Sequence, residues 1–175
     1  MPKRSRENIE NDTIEIIKVF QDNARVSFND LADQTGFSRQ KIWRIIKSLE
    51  KDKTIWGYTT IIDENKQNLT NFIVLVKKNT NPIDEKTLDV IISRELDKIA
   101  NKLGVNIESS QFVHGEYDWI LSITAKNIKQ VKKFCEEVYK IYNQHISKLN
   151  ILENLFTVKK QKILNPEAKK IKQFI

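Results

Sequence analysis

Apolar residues recur at helical spacing near the start of the chain. Ile9, Thr13, Ile16, Ile17 and Phe20 fall on one face of a helix predicted over residues 9–22. Ser27 is a good N-cap for a second helix over 28–34, and Asp30 places negative charge in its first turn, where the helix dipole favours it. Ile42, Ile45, Ile46 and Leu49 form the inward stripe of a third helix running from its cap, Ser38, to about Asp52. Gly36 stands between the second and third helices, where a tight turn needs a residue that tolerates a left-handed backbone. Ala32 is small where the two helices cross, and Leu31 and Phe37 flank the crossing. The stretch TIWGYTTIID, Thr54 to Asp63, is β-branched and aromatic, and predicts a short strand pair or a strand closing the domain. Residues 63–71 are polar and read as a linker.

The second half has a different rhythm. NFIVLV (71–76) predicts a strand. Pro82 and Asp84 open a single long helix with Leu88, Ile91, Ile92, Leu96, Ile99 and Leu103 on its apolar face, stopped by Gly104. Strands are predicted over 107–114 and 117–124, joined by a tight turn at Gly115-Glu116. A helix over 127–143 buries Ile128, Val131, Phe134 or Cys135, Val138 and Ile141, and a last strand covers 149–158. The order β-α-β-β-α-β is that of a ferredoxin-like sheet with helices on one face. In NFIVLV the apolar residues run on without alternating, so both faces of that strand are expected to be covered, the second by another subunit.

Two helices joined at a glycine turn, with a capped and amphipathic second helix, form the residue pattern of a helix-turn-helix. The outer face of that second helix carries Arg39, Gln40, Lys41, Trp43, Arg44 and Lys47. Arg and Lys reach phosphates or guanine acceptors, Gln pairs with adenine, and the Trp43 ring can meet a thymine methyl or pack on sugars. Ser27 and Ser38 open helices whose N-termini point amides at phosphates. The competing reading is a solvated helix face with Trp43 in an interdomain contact.

Charge bears on that choice. The net charge of +7 is more than accounted for by the ends: Lys3, Arg4 and Arg6 at one, and the lysines from Lys159 onward at the other. Within the near-neutral interior, Arg39, Lys41, Arg44, Lys47, Lys51 and Lys53 outweigh Glu50 and Asp52. Such clustering is a footprint for polyanions, although lysine-rich surfaces also serve solubility. No apolar run is long enough to span a membrane, no h-region follows the first residues, and Cys135 stands alone. A reducing cytoplasm is the expected location.

On two stretches, DNARVSFNDLADQTGFSRQKIWRIIKSLEKDKTIWGYTTIID and FVHGEYDWILSIT, the chain resembles the Lrp/AsnC (leucine-responsive, feast/famine) family of transcription regulators. The second carries a Gly-x-x-Asp signature, here Gly115 and Asp118, and the likeness covers about residues 9 to 160. It implies an α+β chain divided into a winged-type helix-turn-helix domain with a basic arm (1–62), a linker (63–71), a ferredoxin-like βαββαβ domain of the RAM, ACT-like kind (72–160) and a basic tail (161–175). It also implies a homodimer, in many members an octamer, that binds double-stranded operator DNA at the nucleoid and takes an amino-acid effector near His114, Gly115, Glu116 and Asp118. Three features depart from the family. Lys53 replaces a glycine, so that turn must find another conformation; the 82–103 helix is long; and the tail has no counterpart.

Each site has a plainer reading. A tight turn wants Gly115, and Asp118 can accept turn N–H groups. His114 and His145 do not suggest a metal site with Cys135, and no cofactor is implied. The tail is expected to be partly disordered, with a short helix in PEAKKIKQFI, and Lys3-Arg4-Ser5-Arg6 can add phosphate or minor-groove contacts. An enzyme such as a siroheme decarboxylase, which resembles this family, is the main rival, but two histidines equip the chain poorly for proton transfer. A nonspecific architectural DNA binder is the third reading.

Overall fold

A computed structural model describes residues 6–175, so Lys3, Arg4 and Ser5 of the basic arm lie outside the described residues. Two compact units are present, one running up to Ile61 and including Val158–Lys170, the other comprising Ile62–Thr157 with Ile171–Ile175.

In the first unit α1 (Arg6–Asp22), α2 (Phe28–Thr35) and α3 (Arg39–Lys51) pack around Ile16, Leu31, Ile42 and Ile46. Ser27 and Ser38 cap α2 and α3 as their sequence positions predict, each hydroxyl accepting the N–H of the residue three along, Asp30 and Lys41. Gly36 adopts φ 67° and its N–H closes α2 onto Ala32 O at 2.8 Å. A Cβ there would meet nothing within 4 Å, so the demand for glycine is conformational and not steric.

Thr54–Asp63 forms no strand, contrary to the sequence expectation. Its residues suit a sheet but find no partner in the described chain, and Trp56 is 94% exposed. The two-stranded pairing in this unit comes instead from the C-terminal segment: β5 (Lys159–Lys160) and β6 (Ile163–Leu164). The tail is therefore ordered, and a 3₁₀ turn over Ala168–Gln173 stands where a short helix was expected.

Lys53 corrects a second expectation. It takes φ 61°, the left-handed conformation that glycine would favour, and no alternative turn is found. The turn is held by Asp52, whose Oδ1 accepts from Thr54 N at 3.0 Å and Thr54 Oγ1 at 2.7 Å. A left-handed lysine costs about 1–2 kcal/mol, and glycine's greater unfolded freedom offsets about half of that. Lys53→Gly should therefore stabilise this unit by about 0.5–1 kcal/mol, read as a higher melting temperature; a lower one would mean that the lysine side chain makes a compensating contact.

The second unit is a four-stranded antiparallel sheet in the order β2-β3-β1-β4, built from β1 (Thr70–Lys78), β2 (Val105–Phe112), β3 (Trp119–Ala125) and β4 (Ile146–Glu153). It is preceded by a 3₁₀ turn, Glu64–Gln67, within the expected linker. The predicted 82–103 helix is two helices, α4 (Glu85–Ile92) and α5 (Glu95–Lys102). They break where the Ser93 hydroxyl donates to Val90 O at 2.9 Å and Arg94 turns left-handed at φ 58°. The break lets Leu96 and Ala100 reach the core while Ile92 is left 75% exposed. Asp84 caps α4, and the Thr87 N–H bonded to its carboxylate holds it below the usual acid range. β4 begins three residues before the predicted strand and ends at Glu153, short of the expected 158.

α6 (Ile128–Tyr142) buries both Phe134 and Cys135, together with Val131, Val138 and Tyr142, whereas Ile128 at its first turn is exposed. Burial pushes the Cys135 thiol up to about 12 from 9.0. Below pH 9 both the folded and the unfolded chain hold the proton, and above it the unfolded chain releases it first, so this thiol withdraws stability as pH rises. Alkylation of Cys135 at pH 8 should follow unfolding of the sheet unit. Full labelling of the native protein within minutes would contradict this packing.

Candidate nucleic-acid interface

The charged face predicted for the third helix exists. Ile42, Ile46 and Leu49 point inward and are buried, while Arg39, Gln40, Trp43, Arg44 and Lys47 are exposed on the opposite side of α3. Residues 40, 43, 44 and 47 share one stripe by their three- and four-residue spacing. Lys47 Nζ donates to Glu50 Oε2 at 2.7 Å, and Tyr58 Oη donates to Glu50 Oε1 at 3.1 Å. The Lys47 bond foremost, and the tyrosine bond with it, keep the Glu50 carboxyl below its ordinary value. Both partners of this ion pair are solvent-facing, so phosphate can displace the carboxylate at little cost.

Lys41 departs from the outward set. Its ammonium lies 2.7 Å from Asp12 Oδ2 of α1, with its side chain 18% exposed, and 3.1 Å from the centre of the Phe37 ring. It ties α3 to α1, and its charge is spent inside the unit. Asp12 is 29 positions away in sequence, so no local pattern announced this pair.

The two cap serines are also committed. Ser27 Oγ accepts from Asp30 N at 3.1 Å and donates to Asp30 Oδ2 at 2.7 Å. Ser38 Oγ accepts from Lys41 N at 3.3 Å. What the helix ends offer an anion is thus the N–H groups of their first turns, residues 28, 29, 39 and 40, which have no partner within a helix.

The loop between β2 and β3 is wider than the predicted two-residue turn. It spans 113–118 and is closed by Val113 N donating to Asp118 O at 2.9 Å. His114, Gly115 and Glu116 are exposed, and a Cβ on Gly115 would meet nothing within 4 Å. Asp118 does not accept turn N–H groups. Its Oδ2 accepts from Lys78 N of β1 at 2.7 Å, and its own N–H donates to Val76 O at 3.0 Å, clamping the end of β3 to β1. The four expected effector residues therefore divide into three exposed side-by-side positions and one structural clamp. His145 is buried with Nε2 3.2 Å from Thr87 Oγ1.

Comparison with known proteins fits this geometry. Residues 13–55 match the family described as winged helix-turn-helix DNA-binding. An uncharacterised HTH-type transcriptional regulator of Pyrococcus furiosus, PF2053, is 28% identical over 142 residues, covering 81% of this chain and 85% of its own. The crystal structure of PH0061, from Pyrococcus horikoshii, superposes with a TM-score of 0.68 at 24% identity over 91% of this chain and 98% of that one. A feast or famine regulatory protein of M. tuberculosis, complexed with L-methionine, superposes with a TM-score of 0.67 at 15% identity over 93% and 100% of the two chains.

Proposed function

We propose, for a chain whose Lrp/AsnC regulator fold and winged helix-turn-helix domain bear out the resemblance read from its sequence, that it is a sequence-specific transcription regulator acting as a homodimer. The observation that carries the proposal is the polar stripe of α3, Arg39, Gln40, Trp43, Arg44 and Lys47, standing exposed over a fully packed inner stripe. Its length and chemistry suit the major groove. The relatives' names support a regulator in preference to an enzyme. No helix among the described residues is long and apolar enough to cross a membrane, and the proposed place of action is the cytoplasmic nucleoid.

The sheet supports the dimer. Phe72, Val74 and Val76 of β1 are buried toward the helices, and the alternate residues Ile73 and Leu75 face the other way beside Ile120 and Leu152. That open face is half apolar, with Leu152 49% exposed, and a second copy of the sheet would complete its burial. Leu75→Glu should convert a dimer to monomers by light scattering; an unchanged mass would place the dimer contact elsewhere. An amino acid is the proposed effector, supported by the L-methionine bound to the M. tuberculosis protein, with His114, Gly115, Glu116 and Asp118 as candidate contacts.

Selection of bound duplexes from a random library tests the central reading. A dimer should recover a pseudo-palindrome whose half-sites lie about 34 Å apart. Repeating the selection with single amino acids reveals an effector as a change in the recovered fraction. Recovery of no motif at all would leave only an architectural binder.

A further inference from the structure

Among the described residues, five lysines and one glutamate lie between Val158 and Lys170, and this segment packs with the helix-turn-helix unit. Lys159 pairs with Leu164 and Lys160 with Ile163 in the β5–β6 hairpin. Gln161 and Lys162 form its two-residue turn, with φ of 45° and 70°. Positive φ at both central positions matches the twist of a hairpin, but the usual residues there are Asn and Gly. A lysine held left-handed costs energy and persists only where surrounding contacts enforce it. Here Lys162 Nζ donates to Gln21 Oε1 at 2.9 Å and lies 3.4 Å from Asp22 Oδ1, fastening the turn to the last residues of α1.

The hairpin forms one wall of a groove of about 780 Å³, whose other walls include Phe20, the α1–α2 connection at Asn23 to Arg25, and Tyr58. That connection leads directly into Ser27 and the open N-terminus of α2. Ile163 lines the groove, and residues paired across an antiparallel ladder share a face. Lys159 and Leu164 are therefore turned away from the groove, and both are exposed. Lys169 and Lys170 follow within ten residues, also exposed. The feature is a cationic ridge, fixed to the DNA-binding unit at the side where α2 begins, and built by a segment outside the matched helix-turn-helix residues 13–55.

We infer that the β5–β6 hairpin and the lysines after it are a second DNA-contacting element, a wing supplied from the C-terminal end of the chain, which grips phosphates beside the duplex segment met by α2 and α3. The inference rests on the reading of α3 as a DNA reader. Its ligand is the duplex backbone, because lysines on a short ladder offer point charges and no base-specific fork.

The test is the salt dependence of duplex binding by the full-length protein carrying Lys159→Gln, Lys169→Gln and Lys170→Gln, the exposed lysines of the ridge. Lys162 is retained because it fastens the turn. Each phosphate left without its lysine takes about 0.9 off the slope of log affinity against log salt, so the slope should shallow by about 2–3. Affinity at about 150 mM salt should fall roughly 10- to 100-fold for the selected operator and for a scrambled duplex alike, leaving their ratio intact. The same three positions changed to Arg should restore the parental slope. A normally melting Gln variant with the parental slope would overturn the wing while leaving the regulator reading standing, as would a loss confined to the operator. Failure of the parent itself to bind either duplex would overturn the reading of α3 as well.

Discussion

Gln40→Ala combined with Arg44→Ala should lower affinity for the selected operator by about 30- to 1000-fold and leave the fold unchanged. Both side chains are exposed on α3, where substitutions change stability by only about 0.5 kcal/mol. A good bidentate base contact is worth about 1–3 kcal/mol of discrimination, so two together remove roughly 2–4 kcal/mol once the geometry they share is allowed for. The effect should also be selective. Binding to a scrambled duplex should hardly change with Gln40→Ala, and the operator should become tolerant of substitution at the base pairs that these residues met. Arg44→Ala has a further signature, because losing a guanidinium from a phosphate flattens the salt slope by about 1, whereas losing one from guanine relaxes base preference. Equal affinity of parent and double variant for the operator, measured by fluorescence anisotropy at fixed salt, would remove α3 as the reader.

Ile42→Ala should unfold the helix-turn-helix unit while the sheet unit stays native. The core of the first unit is small: Ile16, Leu31 and Ile42 are essentially inaccessible, Ile46 nearly so. Truncating a buried isoleucine costs about 2–5 kcal/mol, from the transfer energy of the missing atoms and the cavity left behind. A unit of this size commands only about 3–5 kcal/mol in all. DNA binding should disappear together with part of the helical circular dichroism. Cys135, buried in the separate core of α6 and the sheet, should remain protected from alkylation. Retention of DNA binding would show that the unit draws stability from beyond its own core. Simultaneous exposure of Cys135 would show instead that the two units unfold as one.

Much of the candidate interface was legible in the chain because its determinants are local. The caps Ser27, Ser38 and Asp84 act over three residues, Gly36 is demanded by one φ angle, and the inner stripe of α3 follows from 3.6-residue periodicity. The polar stripe is the complement of that inner one, so identifying Ile42, Ile46 and Leu49 as core placed Gln40, Arg44 and Lys47 outside. The βαββαβ order was equally readable, because each element announces its own period. The local signal failed at element ends, where β4 starts early, and at Ser93-Arg94, where a hydroxyl and a left-handed residue interrupt a stripe that spacing alone would continue.

By itself, then, the sequence determined most of the helices, their caps and the glycine turn, since these depend on contacts three or four residues apart. Tertiary structure decided which segments pair and which charges are spent. The β-suited stretch after α3 has no strand partner among the described residues, whereas two dipeptides near the C-terminus, Lys159-Lys160 and Ile163-Leu164, pair and join the first unit. Lys41 is withdrawn to Asp12, and Asp118 is drawn from its own loop to Lys78. Propensity describes what surface a segment fits and charge describes what it can attract, but a ladder or an ion pair needs its second member, and only folding brings that member across the intervening chain.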